Sequence, residues 1–425
     1  MNQPIIENML KNLLVLALGV ILSSTSNAQC DSISIPNSYT ISSDLLLSGT
    51  YVIDGTFTVN AGVTVFVTPY ETNGCGELKI YADNIVIEGT IDGSFCGFEG
   101  GTGGLKGTSV TSQTGDEVSL TTCNNKDNAG QISVSGGLAG LDGNGPGAGV
   151  AGSDGSEGAG TKQVCGTSND DAGLIGGGGG AGGGSGGSYG GASSAGGNGG
   201  DGSNTGTTAG LSISTAYPVI PGQGGQGGVP AAVYGTATGR DIQIGSGGAG
   251  GGGGGRSHYL GTDAGTGGAG GGMVFLRAEN NLDISGTILV PGENGNNGGD
   301  GGSGDATADC CSDACNDCGE RTFSAGSGSG SGAGGGSGGG VFIESMGQLS
   351  ITGIIDVSGG DGGTAGSQGL GALCDYDGGV FCSDNSINCD PGQAGGTGGA
   401  GGGGRIKIYA AYCDCLLYTS DAADD

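Results

Sequence analysis

The sequence predicts an all-β protein: a parallel β-helix or closely related β-solenoid of stacked strands, with long glycine-rich insertions that are polyglycine II-like or partly disordered. Three observations predict it. Short segments with apolar residues at alternating positions recur along the chain, and such alternation is typical of strands that bury one face. Glycine supplies 110 of the 425 residues, and Trp is absent. Beyond an N-terminal signal peptide, essentially no helix is expected.

The alternating segments form an internal repeat of strand, short polar turn, second strand and glycine. Two copies align position by position, with apolar residues at Val274, Leu276, Leu282, Ile284 and Ile288 and at Val341, Ile343, Leu349, Ile351 and Ile355. Weaker copies begin at Ile80 and Ile406. Gly89, Gly286 and Gly353 share one repeat position, which predicts a bend or a close backbone approach. Strands this short must stack to bury their apolar faces; a meander of hairpins is the alternative.

Glycine-rich insertions separate the copies at roughly 97–268, 292–340 and 359–404. Several keep glycine at every third position, as in the unbroken series from Gly292 to Gly304. Three residues is the period of polyproline II, and glycine along one edge lets neighbouring helices pair their backbone amides. We therefore expect bundles of polyglycine II helices rather than collagen, because the register is interrupted and proline is scarce. Disorder is the open alternative, since low hydrophobicity offsets little of the entropy of ordering.

Composition divides the chain into five parts. Residues 1–28 have a charged start, a short apolar run and a small-residue cleavage site, the pattern of a signal peptide. Residues 415–425 resemble a translated sequencing adapter, so the native C-terminus is expected to be missing. The remaining parts are N-terminal β-rungs over 29–96, a glycine-rich insertion over 97–268, and a region over 269–414 with β-rungs at 273–290, 341–357 and 405–413 between glycine-rich, Cys-containing insertions.

The charge excludes several classes of partner. With 41 acidic against 11 basic residues, the formal net charge is −30, which repels nucleic acid and anionic lipid. The apolar run in the signal peptide is too short to span a bilayer, so no membrane span is expected in the mature chain. No cofactor is expected. Loose Ca²⁺ binding by the acidic surface stays open, although the Gly-Gly-Asp-Gly-Gly stretches lack the residues of a calcium-binding β-roll.

The fourteen cysteines predict disulfides, because the chain is expected to be secreted. Most fall in or beside the glycine-rich insertions, where cross-links would restrict the unfolded chain. A zinc site in the densest cluster is the alternative, and the pairing stays open. The candidates are Cys75, Cys96, Cys123, Cys165, Cys310, Cys311, Cys315, Cys318, Cys374, Cys382 and Cys389.

The sequence offers no catalytic, cofactor-binding or metal site. Its single histidine, His258, ends a glycine run and is expected to be solvated. Enzymes that use parallel β-helices to cleave polysaccharides gather carboxylates and basic residues on one face of the strands. The equivalent repeat positions here are Asp92, Leu289 and Asp356. The charged residues interspersed with them are Arg277, Glu344 and Lys407, and they make no consistent site. We therefore predict that the protein is not an enzyme.

The order of glycine run, strand, turn, strand and Gly-Gly-Asp-Gly-Gly over 273–302 and 341–363 resembles glycine-rich, adhesin-like surface proteins that bacteria secrete. The insertions resemble the polyglycine II modules of some phage tail-tip adhesins. This resemblance implies secretion or display at the cell surface, and adhesion, but it transfers no functional residue. We expect a non-catalytic structural or adhesive protein whose partner is a cell surface, matrix, glycan or another copy. The alternatives are an ice-binding protein of polyglycine II type and a β-helical polysaccharide-degrading enzyme.

Overall fold

The computed structural model describes residues 32–70, 75–112, 131–161, 173–208, 219–304, 306–307, 322–371, 373–374 and 387–415. No helix occurs in these ranges. The fold consists of two parallel sheets around one apolar core, two further sheets, and a bundle of extended glycine-rich segments. The signal peptide expected over 1–28 lies outside the described residues.

The strands are short, apart from four of eleven or twelve residues. In chain order they are β1 Ser32–Ile35, β2 Tyr39–Ile41, β3 Leu45–Leu47, β4 Gly49–Val59, β5 Thr64–Val67, β6 Glu77–Ile87, β7 Thr90–Asp92, β8 Val110–Ser112, β9 Gln131–Val134, β10 Gly158–Thr161 and β11 Gly173–Ile175. They continue as β12 Thr205–Thr208, β13 Met273–Ala278, β14 Leu282–Ile284, β15 Thr287–Leu289, β16 Ala306–Thr307, β17 Thr322–Ser324, β18 Gly340–Ile351, β19 Ile354–Asp356, β20 Leu373–Cys374, β21 Ile387–Cys389 and β22 Arg405–Cys415.

Two parallel sheets share the apolar core. In the larger sheet β1 and β2 pair with β4, β4 with β6, β6 with β13 and β14, these two with β18, and β18 with β22. The smaller sheet has the order β3–β5–β7–β15–β19. Phe57, Leu276 and Ile343 of the larger sheet pack in one cluster with Val65 and Ile91 of the smaller one. Burying each such side chain contributes about 1.5–3 kcal/mol, so this core anchors the fold.

The strand register confirms the repeat alignment predicted from the sequence. Leu276 lies between Ile80 and Ile343 in the neighbouring strands. The shared repeat glycine is confirmed as a close backbone approach. A Cβ on Gly286 would lie 1.9 Å from the carbonyl oxygen of Gly89, and the third copy repeats this contact.

The prediction of a parallel β-helix or β-solenoid is wrong. The chain does not wind in successive coils, because it leaves the parallel sheets for glycine-rich segments between β7 and β13, between β15 and β18, and between β19 and β22. The other two sheets consist mainly of antiparallel strand pairs. The sheet β16–β17–β11–β10–β9–β8 is antiparallel except for the β11–β17 pair, and the sheet β12–β21–β20 is antiparallel. The strands thus lie mostly in parallel sheets, but much of the described chain belongs to no sheet.

The glycine-rich segments form extended threads that pair with one another. We number twelve in chain order: 1 (97–108), 2 (135–142), 3 (149–157), 4 (176–188), 5 (194–203), 6 (222–228), 7 (245–255), 8 (262–271), 9 (292–304), 10 (325–339), 11 (358–371) and 12 (391–404). The amide of Gly101 donates to the carbonyl of Gly248, and the same bond recurs three and six residues further along both threads, each at 2.9 Å. A thread with three residues per turn offers an amide to the same neighbour once per turn.

Threads 4, 7 and 10 lie at the centre of the bundle and hydrogen-bond to one another. They contain only Gly, Ala and Ser, and every residue in them is buried. The other nine threads form a ring around them in the order 1–2–3–6–5–12–11–9–8, closing back on thread 1. A central thread has backbone neighbours on all sides, so side chains larger than Ser find no room. A ring thread also needs glycine where it faces a neighbouring ring thread, as at Gly103, whose Cβ would lie 2.0 Å from the carbonyl oxygen of Ala264 in thread 8. Its outward positions accept larger residues.

Candidate binding surfaces

The ring threads expose roughly one residue in three, and these residues form the outer faces of the bundle. In thread 1 the exposed residues are Glu99, Thr102, Leu105 and Thr108. A thread of this type rises about 3.1 Å per residue, so exposed positions recur about every 9 Å. Small or polar residues predominate on several of the faces, as at Gln223 and Gln226 of thread 6. The bundle therefore presents regular rows of side chains on closely packed backbone.

Side chains of thread 9 bind backbone amides of thread 11 along one outer face. Asn294 Oδ1 accepts from the amide of Asp361 at 2.8 Å, and Asp300 Oδ1 accepts from the amide of Ser367 at 2.6 Å. Ser303 makes the equivalent contact, again to a residue 67 positions further along the chain. We call these contacts side-chain clamps. An outward-facing amide has no further thread beyond it, so a short polar side chain takes the place of the missing carbonyl.

Side-chain clamps also join other ring threads. Four of them bind the two edges of thread 6, through Asp201, Asn198, Ser153 and Ser156. Asp263 of thread 8 accepts from the amide of Lys106 in thread 1 at 2.9 Å. That hydrogen bond, aided by the Lys106 ammonium, holds the pKa of Asp263 below its usual value. The clamps fix the outer rows relative to one another.

The outer face of the larger parallel sheet brings together charged residues that are far apart in the sequence. Arg277 of β13 lies beside Glu344 of β18, with Nε 3.5 Å from Oε2. Glu344 is only 4% exposed and also pairs with Arg240 at 2.5 Å. Lys407 of β22 is buried and donates to Asp241 Oδ1 at 2.9 Å. The signal available in the sequence was that Arg277 and Glu344 occupy the same repeat position.

The repeat positions Asp92, Leu289 and Asp356 lie in the smaller parallel sheet, where the two aspartates bind turn amides. Leu289 is confirmed as the register neighbour of Asp92 and Asp356. Asp92 Oδ1 accepts from the amide of Ser94 at 2.9 Å, and Asp356 Oδ1 accepts from the amide of Ser358 at the same distance. Each carboxylate thus caps the turn that follows its own strand.

A strap, which we define as residues 229–243, lies against the sheet face at β18 and β22. Arg240 and Asp241 reach the sheet through the ion pairs with Glu344 and Lys407. Hydrogen bonds from Thr236, and then from Lys407, hold the pKa of the Asp241 carboxyl well below its usual value. The strap is therefore attached to the sheet face by ion pairs and by a hydrogen bond that the Tyr409 hydroxyl donates to the carbonyl of Gly239.

The structure describes four of the cysteine candidates. Cys75 and Cys389 are buried, and Cys374 lies in β20. Cys96 is a buried thiol that donates to the carbonyl of Val67 at 3.1 Å, and burial raises its pKa to about 12. The candidates outside the described residues are Cys123, Cys165, Cys310, Cys311, Cys315, Cys318 and Cys382. The prediction that Cys96 takes part in a disulfide is therefore wrong, and disulfide pairing of the other candidates stays a prediction.

In the described ranges, no group of three or more His, Cys, Asp or Glu side chains is placed to hold a metal ion. His258 follows thread 7, with its ring 4.8 Å from that of Tyr259. A depression of about 530 Å³ lies where threads 5, 6 and 12 meet. Its described lining includes Asp201, Gln223 and Asp390 and contains no basic side chain.

Within the part of the chain that the structure covers, no helix has the length and apolar character needed to cross a membrane. No family model, curated protein or solved structure matches the chain.

Proposed function

We propose that this chain is a non-catalytic extracellular protein with a structural or adhesive role, and that the outer face formed by threads 8, 9 and 11 of the glycine bundle is its contact surface. One observation supports the proposal above all: the ring threads expose about one residue in three, and side-chain clamps hold these rows in place. A rigid array of side chains loses little conformational entropy when it binds a surface. The binding free energies of many weak contacts at fixed spacing can therefore add up.

The face formed by threads 8, 9 and 11 has the chemistry of a hydrogen-bonding surface. Its exposed residues include Thr262, Thr266, Glu293, Asn296, Asn297, Asp300, Asp361, Thr364 and Ser367. Hydroxyl and amide groups both donate and accept, and the carboxylates add acceptors. Such a face suits hydroxyl-rich or mineral surfaces and disfavours anionic polymers, which the net charge of −30 repels.

The extracellular location rests on the sequence. The expected signal peptide over 1–28 and the fourteen cysteines both favour export to an oxidising compartment. High net charge also keeps a protein soluble outside the cell.

A surface-retention assay on the chain from residue 29 onward tests the proposal. The probes are cellulose, chitin, hydroxyapatite and calcium carbonate, and the measurement is the protein left in solution at rising amounts of solid. We expect retention on at least one probe. The triple variant Thr266→Arg, Asn297→Arg and Thr364→Arg should weaken it at least tenfold, because long charged side chains hold the face away from the solid.

The matched control places the same change on thread 1, as Thr102→Arg, Leu105→Arg and Thr108→Arg. It should retain wild-type binding, with circular dichroism melting curves showing that both variants fold. Absence of retention on every probe, or equal loss in both variants, would contradict the proposal.

Two measurements on the same preparation test the alternative functions. Ice binding would give thermal hysteresis, but the carboxylates of Glu293, Asp300 and Asp361 interrupt the threonines of this face. Polysaccharide cleavage would release reducing ends or unsaturated products from soluble polymers. Either activity would replace the adhesive proposal.

A further inference from the structure

The two parallel sheets each end in an unpaired strand edge, and both edges lie at the same end of the apolar core. β22 pairs with β18 on one side, and β19 pairs with β15 on one side. Within the described ranges, no strand pairs with the other edge of either. β22 is eleven residues long, and a long free edge presents a row of backbone donors and acceptors. This end of the fold can therefore accept further strands.

The core is open at the same end. Ile343 of β18 is fully buried, whereas Ile408, its register partner in β22, is only partly buried. The smaller sheet shows the same change, because Ile288 of β15 is fully buried and its partner Ile355 in β19 is only partly buried. These residues occupy equivalent repeat positions, so their exposure reflects the absence of a neighbouring strand rather than a polar sequence.

The opposite end of the two sheets is less suited to pairing. Its strands β1, β2 and β3 have four, three and three residues. Pro36, which has no amide hydrogen, separates β1 from β2. Ile41 and Leu47 are buried there. Short edge strands and proline are features that prevent association between sheets, so the end at β19 and β22 is the better interface.

A second copy can extend both sheets through a two-fold axis perpendicular to them. This axis keeps each sheet in its own layer and reverses its strands, so β22 pairs antiparallel with β22 of the partner, and β19 with β19. The glycine threads lie at one end of the strands, since threads 8, 10 and 12 lead into β13, β18 and β22. Because the axis reverses the strands, the second bundle lies at the other end, and the two bundles do not collide.

The charge of the two terminal strands permits this contact. A formal net charge of −30 makes most surfaces of two copies repel each other. β22 and β19 together contain two basic residues, Arg405 and Lys407, and two acidic ones, Asp356 and Asp414. The strands that would meet at the axis are therefore neutral in sum, on an otherwise acidic chain.

We propose that the edges of β22 and β19 pair with the same edges of a second copy, so that the protein is a two-fold dimer with one continuous core. The dimer carries two glycine bundles that point in opposite directions, which allows one molecule to bridge two surfaces. The inference goes beyond the proposed function, because the dimer forms without any solid or ligand.

The backbone of β22 shows which amides the partner would bind. The amide of Arg405 donates to the carbonyl of Gly339, and alternate residues of a parallel strand bond to the same neighbour. The amides of Ile406, Ile408 and Ala410 therefore point to the open edge. Ala410→Pro removes one of these donors and keeps the bonds to β18, and proline is tolerated at such edge positions.

Sedimentation equilibrium on the chain from residue 29 onward, across a wide range of protein concentration, tests the interface. We expect the mass of two chains, and Ala410→Pro should raise the dissociation constant at least tenfold. Ile354→Glu should weaken the dimer as well, because Ile354 is a 65% exposed residue of β19 and like charges repel across paired strands. Native-state hydrogen exchange of the Ile406 and Ile408 amides should slow as the protein concentration rises.

Leu46→Glu is the matched control, because Leu46 is a 59% exposed residue of β3 at the opposite end of the same sheet. It should dimerise as the wild type does, and melting curves should show that all variants fold. A monomer at every concentration, or a dimer that neither Ala410→Pro nor Ile354→Glu weakens, would overturn the inference. So would polymers that Leu46→Glu disrupts, since growth would then be head to tail.

Protection of the Ile406 and Ile408 amides that does not depend on concentration would also overturn it, because another part of the same chain would then cover the edge. If the protein is a monomer but is still retained on a solid through the bundle face, only this inference is lost.

Discussion

Gly330 and Gly252 meet backbone to backbone at the centre of the bundle, where a Cβ on Gly330 would lie 1.7 Å from the carbonyl oxygen of Gly252. The oxygen belongs to the main chain, so no change of rotamer can relieve such a clash. The amide of Gly252 donates to the carbonyl of Ser331 at 2.9 Å. Glycine at this contact is therefore a condition for the hydrogen bonds that join threads 7 and 10.

Gly330→Ala should destabilise the protein by about 3 kcal/mol or more, at or above the upper end of ordinary overpacking. The added methyl group must push thread 10 away from thread 7 and lengthen the bonds on both sides of it. The measurement is the free energy of unfolding in urea, followed by circular dichroism.

Gly403→Ala is the control for this prediction. Gly403 lies in a ring thread, and its Cβ would have its nearest neighbour, the carbonyl oxygen of Val357, at 4.0 Å. We expect no loss, or a gain of about 0.4–1 kcal/mol from reduced entropy of the unfolded chain. Equal destabilisation by the two alanines would show that burial in a central thread is not what demands glycine.

The thread pattern takes two forms in the sequence, and the period of three residues predicts only one of them. Glycine at every third position predicted ring threads such as 292–304, because the exposed positions between those glycines accept other residues. The central thread 245–255 has no such period, since every position faces another backbone. An uninterrupted run of Gly, Ala and Ser is the signal for a thread surrounded on all sides.

The strand register was predictable, but the architecture was not. Aligning Leu276 with Ile80 required only the alternation of apolar residues within each copy. Where the chain goes between copies depends on pairing between threads far apart in sequence, and identical glycines do not specify partners. The charged cluster could not be predicted for the same reason. Arg277 and Glu344 share a repeat position, but Arg240 lies in the strap, which belongs to no repeat.

Asp300→Ala should weaken the bundle locally rather than globally. The change removes the acceptor for the amide of Ser367, and water can replace part of that bond, so the loss should be about 0.5–1.5 kcal/mol. Native-state hydrogen exchange at Ser367 should accelerate, while exchange in the buried strand β18 should not change. Asp361→Ala is the control, because Asp361 enters its clamp with Asn294 through its backbone amide, which the change keeps. Faster exchange at Ser367 in that variant would contradict the clamp.

Glu344→Ala should lower the free energy of unfolding by about 1–3 kcal/mol. The carboxylate is buried between Arg277 and Arg240, and removing it leaves two guanidinium groups close together without a counter-charge. Those side chains are 30% and 60% exposed, so water screens part of the loss expected for a fully buried pair. The measurement is urea unfolding at low and high salt.

Glu279→Ala provides the comparison, because Glu279 also pairs with Arg277 but is 58% exposed. An exposed pair contributes about 0–1 kcal/mol. If the two alanine variants are equally stable, the burial of Glu344 contributes nothing.

Alkaline pH should destabilise the fold through Cys96. Burial raises its pKa from 9.0 in the unfolded chain to about 12 in the folded one. Above pH 9 the unfolded thiol loses its proton while the folded thiol keeps it, so stability falls by about 1.4 kcal/mol for each pH unit up to pH 12. The contribution is fully present below pH 9.

Comparison of the wild type with Cys96→Ala isolates this effect, because the tyrosines and the other cysteines titrate alike in both. Between pH 9 and 10.5, the free energy of unfolding measured in urea should fall by about 2 kcal/mol more for the wild type than for the variant. The difference arises because only the unfolded wild type releases the Cys96 proton in this range. Iodoacetamide at pH 8.5 should label Cys96 slowly in the native protein and rapidly in urea, since the thiolate forms only when the side chain reaches water. Equal pH slopes for the two proteins, or a residue 96 that stays unlabelled in urea, would show that Cys96 is not a buried thiol.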